Sequence, residues 1–143
     1  MTNFERIAEF HAAVDGEKPL TPRLPSKEIL DFRETLLHEE YTETLTELNN
    51  LDKTSDIADA VHELVDLLYV TYGAIYEFGV DADAVFAEVH SANMRKLAGP
   101  KRADGKQLKP EGWQGADVKR IIEDQRSKNE NQSHSRFVIR KSS

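Results

Sequence analysis

The stretch Leu36-Leu37-His38-Glu39-Glu40-Tyr41-Thr42-Glu43 places three carboxylates where an amphipathic helix should continue its apolar stripe. With Ile29 set at zero and about 100° per residue, Leu36 falls at about −20° and Phe32 at about −60°. On the same wheel Glu40 falls at about +20° and Glu43 at about −40°, so these carboxylates share the direction of the apolar residues. Burying unpaired carboxylates costs far more than a small domain can absorb. Two readings follow. Either something positive meets them, or the helix rotates so that Leu37, Tyr41, Leu45 and Leu48 form the core stripe and the glutamates face water. Both stay open from this helix alone.

The remainder of the chain predicts a helical protein. Phe4, Ile7, His11 and Val14 recur at spacings of three and four, which marks a first helix over residues 2–14. Gly16, Pro19, Pro22 and Pro25 make residues 15–25 a connector that cannot be helical throughout. Ser26 offers an N-cap and Glu28 lies in the following turn, so a second helix is predicted to run to Leu48, ending at Asn49-Asn50. A third helix, predicted from Ser55 to Phe78, carries apolar residues around more than half its circumference and is expected to be the central, most buried element. Gly79 supplies its stop. Along it Asp56, Asp59, Glu63 and Asp66 form one acidic stripe, whose direction the angles leave open. Asp81 caps a fourth helix through about Leu97, with Val85, Phe86, Val89 and Met94 on its core side.

From Ala98 the composition turns to Gly99-Pro100, Asp104-Gly105 and Pro110-Glu111-Gly112, a turn-rich segment with a short hairpin at Asp-Gly. Trp113, the only tryptophan, reads there as an anchor for the tail. A short helix is predicted from Asp117 to Asp124, and Gln125 to Ser135 reads as disordered. The expected fold class is therefore all-α: a four-helix-bundle-like domain over residues 1–124 with an irregular C-terminal segment, then a polar, flexible tail over residues 125–143.

Composition narrows the function classes. There is no cysteine, so a disulfide framework and a thiolate zinc site are both excluded. The N-terminus lacks the basic start and apolar run of a signal peptide, and no apolar run approaches a membrane span, so a cytoplasmic protein without a membrane partner is expected. The net charge of −7 conceals a division: residues 1–90 carry 6 Lys/Arg against 20 Asp/Glu, and residues 91–143 carry 13 against 6. Such asymmetry suits a site where acidic groups hold cations and basic groups hold a polyphosphate; a nucleic-acid-binding tail or a self-neutralising one fits the same numbers.

Two acidic pairs carry the chemistry. Glu39, Glu40 and Glu43 make E-E-x-x-E on the second helix, and Glu63 and Asp66 make E-x-x-D on the third. Spacing of three puts each pair on one helix face. The short connection favours antiparallel neighbours, on which both pairs can converge. Carboxylates gathered at one spot need counter-charge, and all-oxygen donors select magnesium or manganese over zinc. Magnesium keeps part of its coordination for water and phosphate oxygens, which points to a polyphosphate substrate. Asp59-x-x-His62 has the spacing of half a di-iron bundle, but no second copy exists and a redox centre is rejected.

These pairs stand in order with Asp66-Leu67-Leu68-Tyr69-Val70-Thr71-Tyr72-Gly73, Glu77-Phe78-Gly79-Val80-Asp81, Glu88 through Leu97 and Asp104 through Pro110. Together they resemble the all-α nucleoside triphosphate pyrophosphohydrolases, most closely the MazG-like, phosphoribosyl-ATP pyrophosphohydrolase-like branch that includes dUTP-hydrolysing members. The likeness covers Asn3 to Ile122 and departs at Gly115-Ala116-Asp117, where a proline beside the aspartate is expected. It implies cleavage of the α–β phosphoanhydride of a nucleoside triphosphate, with dUTP a candidate, to a monophosphate and pyrophosphate. Residue by residue, Glu40, Glu43, Glu63 and Asp66 resemble magnesium ligands, with manganese the substitute, and Glu39 resembles the acid that orients or deprotonates the attacking water. Asn93, Arg95, Lys96, Lys106 and Lys109 become candidates for holding phosphates or sugar. Family members are built as oligomers, so a homodimer or homotetramer is expected and nucleic acid is not. The competing expectation is a non-enzymatic helical interaction module that binds nucleic acid or a protein through the basic C-terminal part.

Overall fold

The computed structural model describes residues 1–16, 18, 20–53 and 56–140, with backbone alone from residue 131. Among these residues the fold is all-α: five helices and no strand, only one isolated bridge between Lys101 and Gln107. No helix among them is long and apolar enough to cross a membrane. The chain divides into two compact units, Met1–Val80 and Asp81–Ser143.

Local chemistry sets the helix ends of the first unit. Helix α1 (Asn3–Asp15) begins with a capping box, in which the Glu5 amide donates to Thr2 Oγ1 at 3.1 Å and the Thr2 amide donates to Glu5 Oε2 at 2.6 Å. Helix α2 (Lys27–Asn50) starts where Ser26 accepts from the Ile29 amide at 3.3 Å, and a 3-10 turn over Leu51–Lys53 follows it. Helix α3 is described over Ala58–Glu77; the predicted start at Ser55 lies outside the described residues. It stops at Gly79, whose amide donates to the Tyr76 carbonyl at 2.9 Å. Gly79 has φ +67°, and a Cβ there would stand 2.1 Å from the Thr21 carbonyl oxygen, so a side chain is doubly excluded.

Helix α1 packs its buried residues Phe4, Ile7 and His11 toward α3, where Phe4 tilts against Tyr72 and Tyr76 and the His11 ring stacks on Tyr76 at 4.9 Å. Helix α2 runs antiparallel to α3. Arg33 near its start reaches Glu77 at the end of α3, and Thr44 farther along reaches Glu63. As expected, α3 is the central and most buried helix, with Ala60, Gly73, Tyr76 and Glu77 buried. It packs against both α1 and α2, yet Val61, Leu64, Val65, Leu68 and Tyr69 remain exposed, because two neighbours cannot cover a helix that is apolar almost all round. On α2, Tyr41, Leu45 and Leu48 are exposed too, which removes the rotated-helix reading in which they formed the core stripe. The buried residue of that helix is Thr44.

The proline-rich connector is tied down by charge. Glu77 is 3% exposed. Its carboxylate accepts from Lys18 Nζ at 3.1 Å and Arg33 Nη2 at 3.0 Å, with Arg23 Nη2 at 3.7 Å. Arg23 Nε also donates to the Glu77 carbonyl, and the Arg23 amide to that of Phe78. Gly73 lets this cluster close up, since a Cβ there would lie 3.0 Å from both Arg33 Nη1 and His11 Nε2. His11, Asp15 and Glu77 stand close enough to share a cation, but Lys18 and Arg33 already occupy the glutamate.

In the second unit, Asp81 caps helix α4 (Ala82–Met94) by accepting from the Asp83 amide at 2.9 Å, and a 3-10 turn over Arg95–Ala98 takes the place of the predicted last helical turn. The Asp-Gly turn forms as expected, with Gly105 at φ +88° and the Arg102 amide donating to the Lys106 carbonyl at 2.8 Å. Helix α5 runs from Val118 to Arg140, well beyond the predicted Asp124. No glycine or proline interrupts this stretch, and Lys119–Glu123 and Arg120–Asp124 pair one turn apart. High polarity argues against a packed core, not against a helix.

Burial pushes the Glu77 carboxyl up, but the Lys18 and Arg33 hydrogen bonds and charges more than offset it and hold it below the ordinary 4.5. Burial lowers His11 below its ordinary 6.5, with the Arg33 charge adding to it and Asp15 and Glu77 opposing. Both groups take up protons more readily when unfolded, so both contributions are present at neutral pH and disappear on acidification. The melting temperature should fall first as pH drops below 6.5 and again below 4.5. Glu77→Gln should remove the lower branch and cost about 3 kcal/mol at pH 7, because it takes the buried anion away from the half-buried Arg33 and Lys18; thermal melts across pH measure both.

Candidate active site

The α2–α3 seam carries charge at both ends. On α2 the less exposed line runs through Arg33, Leu37, Glu40, Thr44 and Glu47, and on α3 through Ala60, Glu63, Leu67, Val70 and Glu77. At one end Arg33 meets Glu77. At the other, acid meets acid.

Carboxylate oxygens of Glu40, Glu43 and Glu63 come within 4.8 Å of one another, and so do ligand atoms of His62, Glu63 and Asp66. Glu63 belongs to both groups. The two acidic pairs singled out in the sequence therefore converge, one from each helix. Among the described residues no lysine or arginine pairs with Glu40, Glu43 or Glu63, and Asp66 pairs with His62, whose Nε2 lies 3.2 Å from Oδ2. Partial burial, then the charges of Glu43, Asp66, Glu63 and Glu39, pushes the Glu40 carboxyl above its ordinary value. Glu63 is raised by desolvation and by Glu43, Asp66 and Glu47, with His62 opposing. The negative charge gathered here has no lysine or arginine beside it among the described residues. The donor set, mainly carboxylate oxygens with one exposed imidazole, fits magnesium or manganese.

Glu39 stands outside both groups. It is exposed and lines an open depression of about 440 Å³ with Asp31, Glu34, Thr35 and His38. His62 is the exposed residue whose place beside the acidic pair sequence reasoning missed. Its spacing from Asp59 drew attention, whereas its ring turns to Asp66, four residues on, where an i,i+4 pair on a helix naturally meets.

The basic candidates lie in the second unit. Lys96 Nζ donates to Asn93 Oδ1 at 2.5 Å, and Lys96 and Lys109 stand over the Trp113 ring at 5.2 and 4.5 Å. Trp113 in turn donates from Nε1 to the Ala92 carbonyl at 2.9 Å, so the tryptophan anchors the segment and gathers Asn93, Lys96 and Lys109 about itself. Arg95 is otherwise engaged: it donates to Ser91 Oγ and to the Gln114 and Gly115 carbonyls, and faces Glu88 at 3.9 Å. Lys106 sits beside the Asp-Gly turn, its amide donating to Asp104 Oδ1 and its side chain exposed.

A family model described as Phosphoribosyl-ATP pyrophosphohydrolase matches residues 7–93, more than half of the chain, including Glu39, Glu40, Glu43, Glu63 and Asp66. No curated protein matches.

If the acidic convergence is a cation site, manganese or magnesium should raise the melting temperature of the wild type, by an amount equivalent to about 2.7 kcal/mol at a hundredfold excess over Kd. Glu63→Gln should abolish the rise, since this residue serves both groups, while leaving the metal-free protein folded or slightly more stable through relief of repulsion. Thermal shift with and without the ion reads both.

Proposed function

The chain belongs to the phosphoribosyl-ATP pyrophosphohydrolase family, within the MazG-like all-α NTP pyrophosphohydrolase superfamily, and we propose that it cleaves the α–β phosphoanhydride of a nucleoside triphosphate with magnesium or manganese as cofactor. Pyrophosphohydrolysis of a nucleotide is the activity of the family. The finer reading, a deoxynucleoside triphosphate such as dUTP converted to its monophosphate and pyrophosphate, is ours. The observation that carries it is the convergence of Glu40, Glu43 and Glu63 without a basic partner among the described residues.

Glu40, Glu43, Glu63 and Asp66 would hold the cofactor, which supplies charge neutralisation of the triphosphate and activation of water. The protein's own part is positional and electrostatic. Glu39, exposed beside the cluster but outside both ligand groups, is suited to orient the attacking water and accept its proton. Phosphoryl transfer asks otherwise for positioning and charge. Asn93, Lys96 and Lys109, held about Trp113, are proposed to take phosphate or sugar oxygens, with Lys106 and Arg95 as lesser contributors. Arg95 contributes least in this reading because its guanidinium already serves the tail.

The exposed apolar residues of α2 and α3 support assembly into a homodimer or homotetramer. Tyr41, Leu45 and Leu48 on one helix and Val61, Leu64, Val65 and Leu68 on the other leave more apolar surface in water than a lone chain usually tolerates.

The test is pyrophosphate release from a full panel of NTPs and dNTPs with magnesium or manganese. At least one substrate should be turned over, and Glu43→Gln and Asp66→Asn should lose that activity while keeping their helicity. Glu39→Gln should lower kcat on the order of 100-fold, with metal binding retained. A folded protein that releases pyrophosphate from none of the panel would sink the reading.

A further inference from the structure

Thr44 departs from the other helical threonines of α2 and α3. Thr35, Thr42, Thr46 and Thr71 each donate to a carbonyl four residues earlier in their own helix, at 3.0, 2.7, 2.9 and 2.7 Å. This is the ordinary habit of a threonine inside a helix. Thr44 instead forgoes the Glu40 carbonyl and donates across to α3, to the carbonyl of Glu63 at 3.1 Å. It is 3% exposed and is the buried residue of α2.

Position gives this bond its meaning. Thr44 follows Glu43 directly in the chain, and its acceptor is the backbone of Glu63, the carboxylate common to both acidic groups. Apolar contacts are non-directional and tolerate sliding of one helix along another, whereas a hydrogen bond holds its atoms within a few tenths of an ångström. A slip of one residue moves a helix by about 1.5 Å, which no octahedral magnesium site tolerates when its bonds are about 2.0–2.1 Å. The carboxylates repel each other at this point on the seam and cannot set the register themselves.

We infer that Thr44 is a positioning residue, whose interhelical hydrogen bond fixes the register of α2 on α3 at the acidic end of the seam, as Arg33–Glu77 does at the other, and thereby brings Glu40 and Glu43 opposite Glu63 for cation binding. The inference rests on the proposed metal site.

The experiment compares wild type, Thr44→Val and Thr44→Ser by manganese titration, by metal-free melting and by activity against manganese concentration. Thr44→Val keeps shape and removes the donor; it should weaken manganese binding about tenfold, the scale on which loss of an outer-shell partner acts. Its activity should recover at saturating metal, so the loss falls in the apparent metal constant and not in kcat. Thr44→Ser retains the hydroxyl and should bind as wild type does. A purely structural role would lower the metal-free melting temperature and leave manganese affinity unchanged, and that result overturns the inference. If Thr44→Val does not fold, Thr44→Ala against Thr44→Ser carries the same comparison. Failure of the wild type to bind manganese would instead fall on the metal site itself and take the positioning role with it; wild-type binding matched by Thr44→Val would overturn the positioning role alone.

Discussion

Like-charge repulsion across the α2–α3 seam is the constraint on which the site depends. The same two helices bring carboxylates together at one end and an ion pair at the other. At Glu77 the problem is solved inside the chain, because Arg33, Lys18 and Arg23 surround a buried carboxylate and hold it ionised. At Glu40, Glu43 and Glu63 no lysine or arginine among the described residues answers, and the carboxyls of Glu40 and Glu63 are raised by desolvation and by neighbouring carboxylates, Glu43 foremost. In the proposed function, the cofactor would supply at that end the positive charge that Arg33, Lys18 and Arg23 supply at the other.

The packing on either side of this seam follows from what the two ends require. Gly73 gives Arg33 and His11 the room to close over α3, and Gly79 lets the chain turn against Thr21, so the connector that carries Lys18 and Arg23 is held at the end of α3. Fixing that end fixes α2 at its start; the Thr44 hydroxyl holds it farther along. Between these points Leu37, Leu67 and Val70 are half-buried, whereas Tyr41, Leu45, Leu64 and Leu68 are left exposed.

In the second unit the positive charge counted from the sequence overstates what is free to meet a ligand. Arg95 and Arg120 both approach Glu88, Arg102 pairs with Asp104, and Arg120 also pairs with Asp124. Lys96 and Lys109 are distinguished by a different environment: an aromatic ring polarises and orients an ammonium without neutralising it, which leaves the charge available. Trp113 therefore does more than anchor a tail, although anchoring is what its indole hydrogen bond accomplishes.

Features that depend on a few neighbouring residues were legible in the sequence. Ser26 and Asp81 cap helices, Gly79 ends one, Asp104-Gly105 turns, and acids three apart share a face, because backbone geometry dictates each within a turn or two. The second helix showed its carboxylates as a conflict with the apolar pattern, and the matching pair on the third drew attention to the same seam. Length misled where polarity was read as disorder, and α5 continues to Arg140. Which carboxylates meet across the seam, that Glu63 is common to two groups, and that Thr44 spans to the neighbouring helix were decided by tertiary structure alone. Periodicity assigns a residue to a face but says nothing of the axial register between two helices, and a shift of one residue along that axis changes which carboxylates stand opposite one another.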